Sequence, residues 1–118
     1  MIVDAHTHIA EAGRHGPFGL DASADALVRE MDEAGVDVSI VLPLPGVASN
    51  EFVRREAARH PTRLVPLYCP DFTVPGETLD KLDRAAQEQR LHGLKIHPRV
   101  QGVAPTDSVV REVLAWAG

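Results

Sequence analysis

Stretches rich in β-branched residues alternate with helix-forming stretches along the 118 residues of this chain. Each predicted strand is followed by a predicted helix: strands at 2–9, 36–42, 63–68 and 93–97, and helices at 23–34, 50–60, 77–91 and 107–118. The units repeat at roughly thirty residues, the length of a strand–helix–strand unit. Because parallel strands need a crossover between them, this alternation predicts an α/β fold with a parallel sheet.

The first predicted strand ends in two histidines. Side chains on a strand alternate between its faces, so Asp4, His6 and His8 point to one side of what we expect to be a buried strand. Two imidazoles separated by one residue can reach one cation, and imidazole suits zinc, iron and nickel. The alternative is a pair of ordinary surface or core histidines. Asp4 is a further ligand, a carboxylate that accepts the N–H of a ligating imidazole, or a buried residue at the base of the strand.

The fourth predicted strand also has a polar face, formed by Lys95 and His97. A lysine at the centre of a short buried strand is unusual, because lysine is almost never fully buried without a partner. An anionic group or a metal is therefore expected on that face. His97 either binds substrate or caps the strand.

The polar faces of these two strands distinguish between two parallel architectures. A doubly wound sheet covers both strand faces with helices, which leaves little room for such side chains. A β/α barrel accommodates them in its interior and at the C-terminal ends of its strands. The sequence therefore predicts the first four βα repeats of a TIM barrel, ending before the fifth strand, as one domain over residues 1–118.

The connections carry further signals. The predicted loop at 10–22 is long for a strand-to-helix connection and is expected to lie over the histidines, where Arg14 and His15 are either substrate contacts or solvated loop residues. Ser23 or Asp21 is the expected cap of the first helix, and Gly35 is its expected end.

Composition excludes several function classes. The formal net charge is −5 and the basic residues are scattered, which argues against nucleic acid or an anionic membrane as a partner. No apolar run is long enough to span a bilayer, and because strand-like residues begin at Ile2 we expect neither a secretory leader nor membrane insertion. Cys69 is the only cysteine, so it forms no intrachain disulfide, and we expect a small buried residue rather than a ligand. A cytoplasmic protein with a small-molecule substrate is the expectation.

Two motifs together resemble the amidohydrolase superfamily, specifically its amidohydrolase-related, metal-dependent barrel hydrolases: Asp4-Ala-His6-Thr-His8 and Gly93-Leu-Lys95-Ile-His97-Pro98. The resemblance spans the whole chain in element order and identifies it as the N-terminal half of a barrel. It implies that His6 and His8 bind a divalent metal, most commonly zinc, with Asp4 beneath them. Lys95 is then a carbamylated bridging ligand or a cationic anchor for a substrate carboxylate, and the anchor is favoured because this group commonly works with one metal.

The resemblance also implies a reaction, in which a metal-activated water attacks a carbonyl or an amide- or ester-like carbon. Family members take further ligands from the fifth and eighth strands, and often a catalytic histidine from the sixth. No residue of this sequence is assigned to those roles, so the catalytic acid and base are unknown. The alternatives are a metal-dependent decarboxylase of the same group and a non-catalytic truncated fragment. Half a barrel would expose strand edges, which favours a homo-oligomer or assembly with a second half.

Overall fold

The computed structural model describes every residue from Met1 to Gly118, and the chain divides into two compact units, residues 1–67 and 68–118. Each unit has its own cluster of buried apolar side chains. None of the helices in either unit combines the length and the apolar character needed to cross a bilayer.

The first unit contains a three-stranded parallel sheet and two helices. In chain order its elements are β1 (Val3–Thr7), β2 (Arg14–His15), β3 (Leu20–Asp21), α1 (Ala24–Ala34), β4 (Val38–Val41), α2 (Asn50–Ala58) and β5 (Leu64–Pro66). The sheet order is β1–β4–β5, and both strand pairs are parallel. This unit confirms the predicted α/β class with a parallel sheet.

Local capping signals define the two helices of this unit. The Ser23 hydroxyl accepts the N–H of Ala26 at the start of α1, and Gly35 ends the helix in the left-handed region at φ 69°. The Ser49 hydroxyl accepts the N–H of Phe52 at the start of α2 in the same way. Each side-chain cap satisfies a backbone donor that has no partner within the helix.

The core of the first unit is formed by apolar side chains from both helices, from β4 and β5, and from the segments that follow β1 and precede α2. Its buried members are Ile9, Ala24, Met31, Val41, Ala48, Val53, Ala57 and Leu64. The expectation of a buried first strand is wrong for most of its length, since only Thr7 of β1 is buried and Val3 is 44% exposed. The physical reason is that β1 lies at the edge of the sheet. A β-branched composition predicts a strand, but it does not show whether other elements cover that strand.

The predicted loop at 10–22 contains a small β-hairpin, in which β2 and β3 pair in antiparallel fashion. The Arg14 guanidinium donates to the carbonyl of Gly19 at 2.8 Å and closes the hairpin. Ala10 and Ala22 join its base through a backbone hydrogen bond of 2.9 Å. Two-residue strands show no alternation pattern, so the sequence predicted only a loop here.

The second unit is largely helical. Its elements are a 3₁₀ turn (Pro75–Glu77), α3 (Thr78–Glu88), α4 (Pro98–Gln101) and α5 (Ser108–Ala117). The helices predicted at 77–91 and 107–118 are present with shorter bounds. Helix α4 lies between the strand predicted at 93–97 and the helix predicted at 107–118, where no helix was predicted. Helices α3 and α5 contribute most of the buried cluster: Phe72, Leu82, Val109, Val110 and Val113.

The prediction of a fourth strand at residues 93–97 is wrong, because the structure has no regular strand there. Leu94 makes a single parallel bridge with Tyr68, supported by hydrogen bonds from Tyr68 to Gly93 (3.0 Å) and from Lys95 to Tyr68 (2.7 Å). Pro70, two residues beyond Tyr68, has no N–H with which to extend the ladder. The structure thus shows parallel pairing here without a full strand, and the predicted count of four βα repeats is not reproduced.

Asp71 is the anchor of the segment that leads into α3. Its carboxylate accepts hydrogen bonds from the Lys81 ammonium at 2.7 Å, and from the backbone N–H (2.9 Å) and hydroxyl (2.6 Å) of Thr73. These bonds, that from Lys81 foremost, lower the pKa of Asp71 to about 2. The ionised form of Asp71 therefore stabilises the folded state.

Acid is expected to weaken the second unit through this group. Because the folded pKa lies below the ordinary value of 3.8, the contribution is fully present above pH 4 and is lost as the pH falls through about 2. Asp71→Asn should lower stability at pH 6 and flatten its dependence on pH between 5 and 2, as measured by urea unfolding with Trp116 fluorescence. Asp80→Asn, an exposed change on α3, is the control, and an unchanged acid dependence in Asp71→Asn would contradict the assignment.

Candidate metal centre

The two histidines of the first strand converge at their ring nitrogens. Nε2 of His6 lies 3.2 Å from Nε2 of His8, and the rings meet edge to face with centroids 5.1 Å apart. His6 lies in β1 and His8 follows directly after it. Two side chains separated by one residue are therefore aimed at one point.

A backbone carbonyl orients the second imidazole. Nδ1 of His8 lies 2.9 Å from the carbonyl oxygen of Leu42, the residue that follows β4. A carbonyl only accepts, so Nδ1 carries the proton, and Nε2 of the neutral ring is the acceptor that faces His6. Leu42 in turn donates its N–H to the carbonyl of Thr7 at 2.9 Å, so the histidine pair is fixed to the neighbouring strand.

The spacing of these nitrogens fits a shared metal ion. A tetrahedral zinc with Zn–N bonds of about 2.0–2.1 Å places two ligand nitrogens about 3.3 Å apart. In the structure the 3.2 Å contact is a hydrogen bond in which Nε2 of His6 is the donor and Nε2 of His8 the acceptor. The separation matches the requirement of a shared ion, and His6 would present its own Nε2 lone pair in the tautomer protonated at Nδ1. Within either unit, no group of three or more histidine, cysteine, aspartate or glutamate side chains is arranged to hold a metal. The pair is thus a fitting but partial ligand set.

Asp4 lies beneath the pair on the same strand. Its Oδ1 accepts the backbone N–H of His6 at 3.0 Å, and the side chain is exposed rather than buried at the base of a sheet. The carboxylate therefore holds the backbone from which the His6 side chain projects. Its predicted contact with an imidazole stays a prediction.

Lys95 and His97 both belong to the second unit. Lys95 is half-buried and donates its backbone N–H to Tyr68, while Nδ1 of His97 accepts the N–H of Val100 at 3.4 Å and caps α4. The backbone N–H of His97 also donates to the side chain of Gln101 at 2.6 Å. His97 thus has a capping role, and substrate contacts of both residues stay predictions.

Cys69 has the character expected of a buried thiol. Burial raises its pKa to about 11, an effect that the positive charge of Lys95 only partly offsets. A thiol with this pKa stays protonated at neutral pH, and the thiolate is the form that binds metal.

Glu11, three residues beyond His8, was not singled out from the sequence. Its carboxylate accepts the hydroxyl of Ser49 at 2.5 Å and the backbone N–H of Ser49 at 2.9 Å, and these bonds lower the pKa of Glu11. The backbone N–H of Glu11 donates to Val47 at 3.0 Å. These bonds fix the segment after the histidine pair to the start of α2. The sequence gave no sign of this contact, because an acidic residue in a loop is common and its partner Ser49 is distant along the chain.

A cavity opens beside His8, between the β2–β3 hairpin and α1. It is an open pocket of about 360 Å³, and its walls include His8, His15, Leu20, Asp21, Leu27 and Glu30. Of the two loop residues that the sequence singled out as substrate contacts, His15 lines the cavity, whereas Arg14 is bonded within the hairpin.

Three solved structures resemble this chain over nearly its whole length. A probable 2-pyrone-4,6-dicarboxylic acid hydrolase from Acinetobacter baumannii, with citric acid bound, is 17% identical with a TM-score of 0.63, and the match covers 97% of this chain and 44% of that one. A 4-oxalomesaconate hydratase from Rhodopseudomonas palustris is 17% identical with a TM-score of 0.66, covering 98% and 49%. A 5-carboxyvanillate decarboxylase from Sphingomonas paucimobilis is 20% identical with a TM-score of 0.63, covering 98% and 48%.

These likenesses show the fold, and the chain spans less than half the length of each of these structures. A search of curated proteins returned no match. The sequence profile of the family described as Amidohydrolase matches residues 3–118, which include the histidine pair and both units. The chain therefore belongs to the amidohydrolase family.

Proposed function

We propose that this chain is part of a metal-dependent enzyme of the amidohydrolase type, in which His6 and His8 hold a divalent cation, zinc in the first place. The observation that carries the proposal is the 3.2 Å separation of their Nε2 atoms. When bound, such a cation supplies Lewis acidity that polarises a carbonyl and lowers the pKa of water.

The chain's own residues prepare this site. His8 donates its Nδ1 proton to Leu42, which keeps Nε2 as the nitrogen that faces the cation. Asp4 accepts the N–H of His6 and restrains the strand backbone at the first ligand. We assign Lys95 the role of a cationic anchor for a substrate carboxylate, with His97 as a neighbouring substrate contact.

The reaction we propose is hydrolysis of a small molecule at a carbonyl or an amide- or ester-like carbon, and membership in the amidohydrolase family is what supports it. Catalytic zinc normally takes three protein ligands, so the proposal requires at least one ligand beyond the histidine pair. A second copy of the chain or a further segment of barrel is the expected source. The net charge of −5 supports a small-molecule substrate over nucleic acid.

A metal-dependent decarboxylase is the second candidate. One of the similar solved structures is described as a 5-carboxyvanillate decarboxylase, and it shares 20% identity with this chain. The two reactions differ in their products, since hydrolysis incorporates an oxygen atom from water and decarboxylation releases carbon dioxide. Assays with ¹⁸O-labelled water and with carbon dioxide detection separate them on a panel of esters, amides and aromatic carboxylic acids.

Metal binding is the first test of the proposal. Zinc titrated into the purified chain is expected to bind near one ion per chain in calorimetry and metal analysis, because two converging imidazoles provide a chelating pair. His6→Ala and His8→Ala should each abolish this binding. His92→Ala is the matched control, since His92 is an exposed histidine in the second unit.

Weak zinc binding that is the same in all three variants would contradict the metal site. A non-catalytic fragment would then be the better interpretation of this chain.

A further inference from the structure

We propose that the cavity beside His8, here called the hairpin cavity, binds a small ammonium compound with an apolar body, and that it disfavours carboxylates. The lining residues on which the proposal depends are His8, His15, Leu20, Asp21, Leu27 and Glu30. The proposal concerns a binding subsite within the first unit alone.

Size and apolar surface support a small organic occupant. The cavity is open to solvent on one side and has a volume of about 360 Å³, within the range of cavities that hold small molecules. Leu20 of the hairpin and Leu27 of α1 both line it. Leu20 is 66% exposed, so an apolar body placed against it would remove apolar surface from water.

The hairpin wall is held in place by its own bonds. Ala22 donates its N–H to Gly13 at 3.0 Å, and Arg14 donates to Gly19 at 2.8 Å. The turn glycines Gly16 and Gly19 have positive φ values, which residues with a Cβ rarely adopt. The cavity therefore exists before any ligand arrives, which reduces the ordering cost of binding.

The charge of the lining is negative. Hydrogen bonds with Ser23 lower the pKa of Asp21, so its carboxylate is ionised at neutral pH. Glu30 also lines the cavity, and its side chain makes no hydrogen bond or ion pair. Arg14 and Arg29 are close enough to affect Asp21, but neither lines the cavity. An ammonium group thus finds carboxylate partners here, whereas a carboxylate meets like charges.

His15 adds a hydrogen-bonding group to the same space. Its imidazole lines the cavity and makes no hydrogen bond in the structure. A neutral imidazole can accept a hydrogen bond from an ammonium group through its unprotonated nitrogen. The subsite therefore offers one acceptor from the hairpin and carboxylates from the hairpin and α1.

The cavity also shares His8 with the proposed metal centre. The binding preference itself depends only on the lining of the cavity, so the two proposals can fail separately.

Fragment binding by NMR tests the preference. Phenethylammonium and 3-phenylpropionate, which have similar bodies and opposite charges, are titrated at pH 8 into the ¹⁵N-labelled chain with a chelator present. We expect phenethylammonium to shift the amide signals of His15 and Glu30 and to bind more tightly than 3-phenylpropionate. Glu30→Gln should weaken binding by about threefold, the effect of losing one exposed ion pair. Glu33→Gln, an exposed change on the same helix, should leave it unchanged.

Three results would overturn the proposal: equal or tighter binding of the carboxylate, no shift with either compound, and no difference between the two glutamine variants. His6→Ala separates the two proposals, because it should abolish zinc binding and leave phenethylammonium binding intact. The amide spectrum of each variant shows directly that the chain is folded.

Discussion

Leu82→Ala is expected to lower the free energy of unfolding of residues 68–118 by about 3 kcal/mol. Leu82 on α3 is fully buried and packs in one cluster with Val110 and Val113 of α5. Truncation removes apolar contacts and leaves a cavity that the surrounding helices fill only partly. Trp116 is the only tryptophan and donates to Asp83 of α3 at 2.6 Å, so its fluorescence during urea unfolding reports on this packing.

The matched control is Leu114→Ala, which makes the same chemical change on α5 at a side chain that is 54% exposed. Its effect should stay within about 0.5 kcal/mol, as for most surface substitutions. Similar losses in the two variants would mean that the α3–α5 contact does not stabilise the unit as described.

Arg63→Ala is expected to destabilise residues 1–67 by about 2 kcal/mol. The guanidinium donates to the carbonyls of Asp37 (2.9 Å) and Val36 (3.0 Å), and it pairs with Asp32 at 2.7 Å. One side chain thereby joins the end of α1, the start of β4 and the start of β5. Its loss leaves two backbone carbonyls without their partner, and amide hydrogen exchange at Val41 and Leu64 measures the consequence.

Arg63→Lys should recover only part of this stability, since an ammonium group cannot reproduce the planar fork of donors. Arg54→Ala, at an exposed arginine on α2, should leave exchange rates unchanged. Equal protection in Arg63→Ala and Arg54→Ala would show that the contacts to the carbonyls contribute nothing.

The parts of the fold that the sequence predicted well depend on local chemistry. Ser23 and Gly35 delimit α1 because a hydroxyl cap and a left-handed glycine act within a few residues of the chain. The buried positions Met31 and Val53 fit the apolar spacing of amphipathic helices. The parallel pairing of the first three strands followed from strand–helix alternation.

The parts that the sequence did not predict depend on distant partners. Residues 93–97 have strand-like alternation, but a strand needs a neighbour that continues to offer hydrogen bonds, and Pro70 interrupts that neighbour. The exposure of Val3 has a similar origin, because a pattern of apolar residues does not reveal whether another layer covers them. The hairpin was missed because each of its strands has only two residues.

At the candidate site, the sequence supplied the ligands but not their support. His6 and His8 follow from alternation along one strand, and the structure brings their nitrogens together. The carbonyl of Leu42 carries no side-chain signature, so its contact with His8 appears only once β1 and β4 are paired. The same holds for Glu11, whose partner Ser49 is 38 residues away.

The bond from His8 to Leu42 couples metal chemistry to the alignment of two strands. A slip of one residue between β1 and β4 would direct alternate side chains to the opposite face and separate Nδ1 from its carbonyl. A measurement of zinc affinity therefore reports on the register between β1 and β4 as well as on the identity of the ligands. The effect on strand register of substitutions far from the histidines, such as those at buried residues of β4, can be ranked by zinc affinity without any knowledge of the substrate.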